Sequence, residues 1–317
     1  MGAGTDSTRI DAAELDLLAG AFRKTMASAS GQALDLALIQ LGWRDLLAEL
    51  PGTAVPLAFR LLGETGAHAP LLNDVVLTAS GRPPGGTVPL PYAGGSWVLW
   101  ERTDQPSATV DGDIPLRRVA PLAGAPLADT PLTDAALAAG RRAVGWWLLG
   151  TGRAMLALAR SHAVDRVQFG RPIASFQAVR HRLADTLVAL EGAEAVLRAA
   201  DAEASTGAGA RTSTITSTST STSTSTSTEA SIRAHANHDP ELASLLAKAA
   251  AGQAALTAAR HCQQVLGGIG FTAEHALHIH VKRALLLDGL LGSARELTRE
   301  AGRRVLADGA APRLVDL

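Results

Sequence analysis

The feature that most constrains this chain is a series of long apolar stripes at helical spacing in its C-terminal half. Short glycine or proline breaks separate these stripes. The members of the successive stripes are Val144, Trp147, Leu148, Met155 and Leu158, then Phe176, Val179, Leu183, Leu187 and Leu190, and then Leu242, Leu245 and Leu246. Long helices with one apolar face, joined by short breaks, are typical of an antiparallel helical bundle.

Two regions of different character precede the bundle, which is expected over residues 133–309. Residues 10–77 predict an N-terminal helical domain, with one continuous helix over Gln32–Leu50. Residues 78–132 are rich in glycine and proline, and runs such as Ser96–Trp100 indicate short strands. The predicted fold class is therefore mainly α, with a small, reduced central β unit.

A low-complexity tract interrupts the bundle. Residues 212–228 are almost purely alternating serine and threonine and cannot bury a core, so a disordered loop is expected over 205–235. A threonine-rich strand is the alternative, since threonine favours strands. The absence of apolar residues on either face argues against that strand.

Composition excludes several classes of function. Lysine and arginine total 29 against 30 acidic residues, for a net charge of −1, so nucleic-acid binding is not expected. The single cysteine, Cys262, excludes a disulfide framework and a cysteine-based zinc cluster. No metal site is expected, although His275, His278 and His280 are close in sequence. No uninterrupted apolar run of about 18 residues predicts a membrane span, and a cytoplasmic location is expected.

The first passage with chemical potential is Asp165–Ile173. Arg166 is a fixed positive donor suited to a phosphate oxygen, and Gln168 offers both a donor and an acceptor. Phe169 offers a flat apolar face for a ring, on a turn that Gly170 would form. The alternative is a plain turn between two helices with a core phenylalanine.

The second passage is Gln264–Phe271, in which three glycines follow a helix. Glycines let a backbone approach a ligand closely, and their free amides can face a pyrophosphate. The passage does not match the dinucleotide-fold fingerprint, because it follows a helix rather than a strand. The alternative is a simple glycine break between two helices.

Together these passages resemble the acyl-CoA dehydrogenase family over about residues 137–295. In that family an "ER-x-x-FG-x-x-I" turn precedes a helix beginning "FQ", and a "QxxGGxGF" passage follows later, often with "EH" and a Lys/Arg-Arg step. Here the later steps are Glu274-His275 and Lys282-Arg283. The resemblance implies an N-terminal helical domain, a central β-barrel and a C-terminal four-helix bundle. It also implies FAD, an acyl-CoA thioester and oxidation of its Cα–Cβ bond.

The resemblance assigns site residues as well. It places the first passage against the FAD of a neighbouring subunit, which implies an oligomer, and the second passage near the adenosine and pyrophosphate part of FAD. The cofactor-binding candidates are Arg166, Gln168 and Phe169 from the first passage, and Gln264, Gly267 and Gly268 from the second. Arg141 either contacts the thioester ligand or is a solvated arginine.

The family's catalytic base is missing from both expected positions. Counting from Lys282-Arg283, Leu291 stands where the glutamate is expected, and leucine cannot accept a proton. At the position that some members use instead, ahead of an arginine, this chain has Gly140. Asp288 and Glu296 are nearby in sequence and remain alternative candidates.

The family's flavin-facing passage also has no match in the β region. Such departures resemble the reduced, non-catalytic partner subunits of heteromeric actinobacterial enzymes that act on steroid side-chain thioesters. The first hypothesis is therefore an FAD-binding subunit without its own base, in a homo-oligomer or in a heterotetramer with a catalytic homologue. The alternatives are a structural partner or degraded relative that binds no flavin, and a protein recruited to other thioester chemistry.

Overall fold

The computed structural model describes residues 11–103, 109–111, 114–119, 132–215 and 239–309. Long antiparallel helices dominate its C-terminal half, and the third of them packs against all the others. They are α6 (Asp134–Asp165), α7 (Gln177–Ile215), α8 (Pro240–Leu266), α9 (Leu277–Gly289) and α10 (Ala294–Asp308). The predicted fold class, mainly α with a small β unit, is confirmed.

Five shorter helices form the N-terminal part. They are α1 (Ala12–Ser28), α2 (Gly31–Gln40), α3 (Trp43–Glu49), α4 (Pro51–Thr65) and α5 (Leu71–Ala79). The single helix expected over Gln32–Leu50 is wrong, because Gly42 has a φ of 82° and separates α2 from α3. Only glycine adopts this left-handed conformation readily, so the sequence carries the break at Gly42.

A four-stranded antiparallel sheet forms the β unit. Its strands are β1 (Pro89–Tyr92), β2 (Ser96–Trp100), β3 (Thr109–Asp111) and β4 (Ile114–Val119), in the order β1-β2-β4-β3. Leu90 pairs with Val98, and Trp100 pairs with Leu116. The Trp100 ring also stacks on Trp147 of α6 at a centroid distance of 5.5 Å, so the sheet packs directly on the bundle.

Helix α6 begins after a capping threonine, and α7 extends further than expected from the sequence. The residue that caps α6 is Thr133, whose hydroxyl accepts a hydrogen bond from the Ala136 amide at 3.2 Å, as serine and threonine commonly do at N-caps. Helix α7 continues to Ile215, so the disordered loop expected from residue 205 begins too early. The rest of that expected loop, residues 216–235, lies outside the described residues.

A buried carboxylate joins the N-terminal helices to the β unit. Asp74 is fully buried and accepts hydrogen bonds from Trp43 Nε1 at 3.1 Å, from the Gly85 amide at 2.8 Å and from Arg102. Arg102 also pairs with the buried Asp35. A buried charge is tolerated only when it is paired and hydrogen-bonded, so this network fixes α2, α3 and α5 relative to β2.

Helices α4 and α6 touch backbone to backbone at two glycines. A Cβ added at Gly150 would lie 2.1 Å from the Arg60 carbonyl oxygen, and one added at Gly63 would lie 2.4 Å from the Thr151 nitrogen. No side chain fits between the helices at this crossing. The close approach therefore depends on glycine at both positions.

One segment among the described residues, Pro240–Phe271, is long and apolar enough to cross a membrane by length and composition. In its most apolar window 72% of the residues are buried inside the protein. The segment contains α8, the central helix of the bundle, and its apolar character is accounted for by that packing.

The glycine crossing can be tested by substituting Gly150→Ala. The new methyl group would force α4 and α6 apart, and we expect a loss of about 1–3 kcal/mol in the free energy of unfolding. The matched control is Gly192→Ala, since Gly192 lies in α7 with nothing near its added Cβ. That change should stabilise by roughly 0.5–1 kcal/mol. Chemical denaturation of both variants measures the difference, and equal stabilities would contradict the packing described.

Candidate functional site

A short hairpin between α6 and α7 presents an exposed aromatic ring. Strands β5 (Val167–Gln168) and β6 (Arg171–Pro172) pair, and Phe169 sits at the tip with a φ of 54°. A positive φ is uncommon for a residue other than glycine and is strained for a bulky side chain. Phe169 is 92% exposed, and its ring forms a T-shaped pair with that of Phe176, at 6.1 Å between ring centroids. The core phenylalanine considered from the sequence is therefore wrong.

The second passage forms a 3-10 turn over Gly267–Phe271. Gly267 has a φ of 65°, and neither Gly267 nor Gly268 has any atom within 4 Å of an added Cβ. Gly270 is different, because its Cβ would lie 2.8 Å from the Gln263 carbonyl oxygen. The first two glycines thus present open backbone to solvent, while the third permits the turn to pack on α8.

Both passages lie at the same end of the bundle. The hairpin joins α6 to α7, the glycine turn joins α8 to α9, and these helices alternate in direction. The pKa of His162 in the last turn of α6 is lowered by burial and by the nearby positive charges of His275, which follows the glycine turn by four residues, and of Arg166 in the first passage. The six predicted cofactor-binding residues are therefore gathered at one end.

Several polar side chains at this end of the bundle have no partner among the residues that the structure describes. The side chains of Arg166, Gln168 and Gln264 are exposed and form no hydrogen bond or ion pair with the part of the chain that the structure describes. This end therefore combines the Arg166 cation and two glutamine amides with the open glycine turn and the exposed Phe169 ring. Such a combination suits a nucleotide that has an anionic and an aromatic part. Their role as cofactor ligands stays a prediction.

The neighbouring histidines do not gather around a common point. His280 is buried, and burial together with Arg283 lowers its pKa to about 4. His275 Nδ1 accepts a hydrogen bond from the Leu277 amide at 3.1 Å. Within the described ranges no group of three or more histidine, cysteine or acidic side chains is placed to hold a metal ion.

The two positions at which the resemblance expects a base lie against each other. Leu291, in the turn between α9 and α10, is 1% exposed and has a φ of 60°. A Cβ added at Gly140 would lie 2.7 Å from Leu291 Cδ1 and 3.0 Å from Val76 Cγ2. The leucine side chain fills the space over Gly140, so this position is packed with hydrocarbon and carries no proton acceptor.

A buried lysine holds the turn that carries Leu291. Lys248 of α8 is fully buried, and its Nζ donates hydrogen bonds to the carbonyl oxygens of Asp288, at 2.8 Å, and Gly292. Burial lowers the pKa of Lys248 to about 7. The sequence analysis missed this residue. The available signal was a single lysine inside an apolar, alanine-rich stretch of helix.

The two alternative carboxylates near this turn are engaged in structural hydrogen bonds. Asp288 Oδ1 accepts from the Ala294 amide at 3.0 Å. Glu296 accepts from the Gly94 and Ser293 amides, each at 2.9 Å, and these bonds lower its pKa. Glu296 is stabilised in its charged form and is therefore a weak base, and the Asp288 carboxylate is occupied as a hydrogen-bond acceptor at the start of α10.

Arg141 reaches the same turn from α6. Its Nε donates to the Leu291 carbonyl oxygen at 3.4 Å, and its side chain borders a cavity of about 290 Å³ together with Tyr92 and Arg303. Burial and the nearby Arg304 lower the pKa of Arg141. The structure therefore places Arg141 beside Leu291, as a positioning contact to the turn, and its contact with a thioester stays a prediction.

The two candidate sites lie at opposite ends of α6. Gly140 is near its beginning and Asp165 is its last residue, so at about 1.5 Å per residue the two ends are about 38 Å apart. The hairpin and the Leu291 turn of one chain are therefore two separate sites.

Residues 130–221 match the acyl-CoA dehydrogenase C-terminal domain. The chain is 34% identical over 228 residues to acyl-CoA dehydrogenase FadE34 of Mycobacterium tuberculosis, covering 69% of this chain and 28% of that protein. It is 35% identical over 206 residues to acyl-CoA dehydrogenase IpdE2 of the same organism, covering 65% of this chain and 53% of that protein. The chain thus spans about half, or less, of the length of these relatives.

Among solved structures, the ChsE4–ChsE5 complex from Mycobacterium tuberculosis is similar in fold. The alignment has a TM-score of 0.56 and 20% identity, and it covers 96% of this chain and 100% of that one. At this identity the likeness concerns the fold alone. It extends the similarity from the bundle to the N-terminal helices and the sheet.

The buried lysine predicts a specific pH dependence of stability. Because its pKa falls from 10.5 in the unfolded chain to about 7 in the folded protein, the unfolded chain binds more protons between these values. The free energy of unfolding should therefore rise with pH from about 7 toward 10, by up to about 1.4 kcal/mol per pH unit. Lys248→Met should remove this rise, whereas Lys24→Met, on an exposed face of α1, should keep it. Identical pH profiles for the two variants, measured by urea denaturation, would contradict the assignment.

Proposed function

Residues 130–221 match the acyl-CoA dehydrogenase C-terminal domain, and on that premise we propose that the chain is a subunit of an acyl-CoA dehydrogenase assembly that helps to hold FAD but supplies no catalytic base. One observation carries the proposal. The base position is filled by Leu291 packed over Gly140, whereas the hairpin and the glycine turn at the other end keep their donors free.

The exposed end fits the chemistry of FAD. Arg166 offers a charge-assisted donor for a phosphate oxygen, and the uncovered backbone at Gly267 and Gly268 leaves space for a pyrophosphate to approach closely. Phe169 presents an unobstructed face against which a flat ring can pack. When bound, FAD supplies the acceptor for the hydride that leaves the β carbon of an acyl-CoA thioester.

The contribution of this chain is then to bind and orient the cofactor. Arg166 and Gln168 hold its polar part, and Phe169 covers an apolar face. No described residue at the Leu291 turn is placed to remove an α proton, since Asp288 and Glu296 are bound by backbone amides. The base has to come from another subunit.

A heterotetramer with a catalytic homologue is the assembly that we favour, with a homo-oligomer as the simpler form. The separation of about 38 Å between the two ends of α6 supports a site shared between chains. The similar solved structure, the ChsE4–ChsE5 complex, contains two differently named proteins. The acyl group remains the generic acyl-CoA of the family.

A structural partner that binds no flavin is the second candidate. It is favoured by the tight packing around Leu291, Val76 and Gly140, which fills the expected position of the base with hydrocarbon. The two candidate functions differ only in whether the hairpin end of the bundle binds FAD. Measured affinity for FAD therefore separates the two.

The proposal predicts that the purified chain binds FAD through the hairpin. Fluorescence quenching of FAD titrated with protein should report binding, and Arg166→Ala should weaken it about tenfold or more, because a charge-assisted hydrogen bond contributes about 1.5–3 kcal/mol. Phe169→Ala should weaken it as well. Arg303→Ala, a substitution on α10 at a residue paired with Glu300, serves as the control and should bind like the wild type.

Two results would count against this function. No quenching by the wild-type chain at about 100 µM protein, where even weak binding is detectable, would favour the flavin-free structural partner. Equal affinity of the wild type and Arg166→Ala would show that FAD binds elsewhere.

A further inference from the structure

The described surface has an open apolar groove that belongs to neither of the two candidate sites at the ends of α6. It lies between α8, α9 and α10, and has a volume of about 740 Å³. Its apolar floor includes Leu256, Val281 and Leu285, and Leu285 is 59% exposed. A large, exposed apolar side chain in the lining of an open groove loses contact with water when a partner covers it, and such grooves are typical of interaction surfaces.

Three arginines line the same groove. Arg260 projects from α8, and Arg295 and Arg299 lie one turn apart on α10. None of the three forms an ion pair within the described part of the chain, and Arg260 contacts only the hydroxyl of Thr257, at 3.2 Å. The single carboxylate in the groove, Asp288, already accepts the Ala294 amide. The groove therefore combines an apolar floor with an excess of positive charge.

The beginning of α1 has the complementary character. Leu17 is 78% exposed there, and Ala13 and Gly20, at i−4 and i+3, lie on the same face and are also exposed. Glu14 and Asp16 flank this face. No basic residue precedes Arg23 in this helix, so its first turns are negatively charged around one apolar side chain.

We propose that α1 of a second copy of this chain docks into the groove. Leu17 would pack against Leu285, and Glu14 and Asp16 would face Arg260, Arg295 and Arg299. The lining from Gln253 to Gln263 is about 15 Å long, and the exposed face from Ala13 to Gly20 is about 11 Å long, so the helix end fits.

The contact joins two different surfaces of the chain. If each of two copies inserts its α1 into the groove of the other, a closed dimer forms. If the exchange is not reciprocal, further copies add and a larger assembly forms. The small residues Ala13 and Gly20 on either side of Leu17 permit close approach of the helix backbone. This self-association is independent of FAD and does not rest on the function proposed above.

Charge exchange tests the electrostatic half of the proposal. Sedimentation velocity of the wild-type chain at about 50 µM should show a dimer or larger species, since a micromolar contact is mostly formed at that concentration. The double variant Arg295→Glu with Arg299→Glu should raise the dissociation constant at least about tenfold through like-charge repulsion. Glu14→Arg with Asp16→Arg should do the same, and a mixture of the two variants should associate again.

A second pair of variants tests the apolar half. Leu285→Asp should reduce the assembly, whereas Leu306→Asp, at an 83% exposed leucine outside the groove, should leave it unchanged. Far-ultraviolet circular dichroism confirms that each variant is folded. The proposal is overturned if the wild type is monomeric at that concentration. It is also overturned if the charge-reversed variants associate as the wild type does, or if their mixture fails to recover association.

Discussion

The hydrogen bonds of Lys248 join most parts of this structure at one turn. From α8 the lysine binds the carbonyl oxygens of Asp288 and Gly292, which bracket the connection between α9 and α10. The same connection pairs with β1, since the Leu291 amide donates to the Pro91 carbonyl and the Ala93 amide donates to the Gly289 carbonyl. Bundle, sheet and last helix therefore meet where one buried amine satisfies two carbonyls that would otherwise be buried and unpaired.

This turn also determines what the chain can do chemically. It carries residue 291 with its side chain directed over Gly140, in the arrangement in which the resemblance expects a glutamate. The supporting contacts of the turn are present, but the side chain is hydrocarbon. The exposed polar donors lie at the other end of α6, about 38 Å away. The candidate ligand-binding residues are therefore far from the turn at which the resemblance expects a catalytic base.

Much of this could be predicted from the sequence, because apolar periodicity and glycine position are local signals. They predicted the long helices and the glycine turn at Gly267, and the spacing from Lys282-Arg283 identified Leu291. The break at Gly42 was missed, because a single glycine inside a helical pattern is usually tolerated. The role of Lys248 could not be predicted, since it depends on two carbonyl groups more than 35 residues away in sequence. The exposure of Phe169 was one of two interpretations that the sequence left open, whereas its left-handed backbone conformation was not predicted.

The most direct test of the account is the visible absorption spectrum of the protein mixed with FAD, recorded anaerobically before and after addition of saturated acyl-CoA thioesters. The account predicts that the flavin band persists, because Leu291 cannot remove the α proton that must leave with the hydride. Bleaching of the flavin band by any of these thioesters would show that this chain contains a working base, and would contradict the assignment of a silent catalytic position.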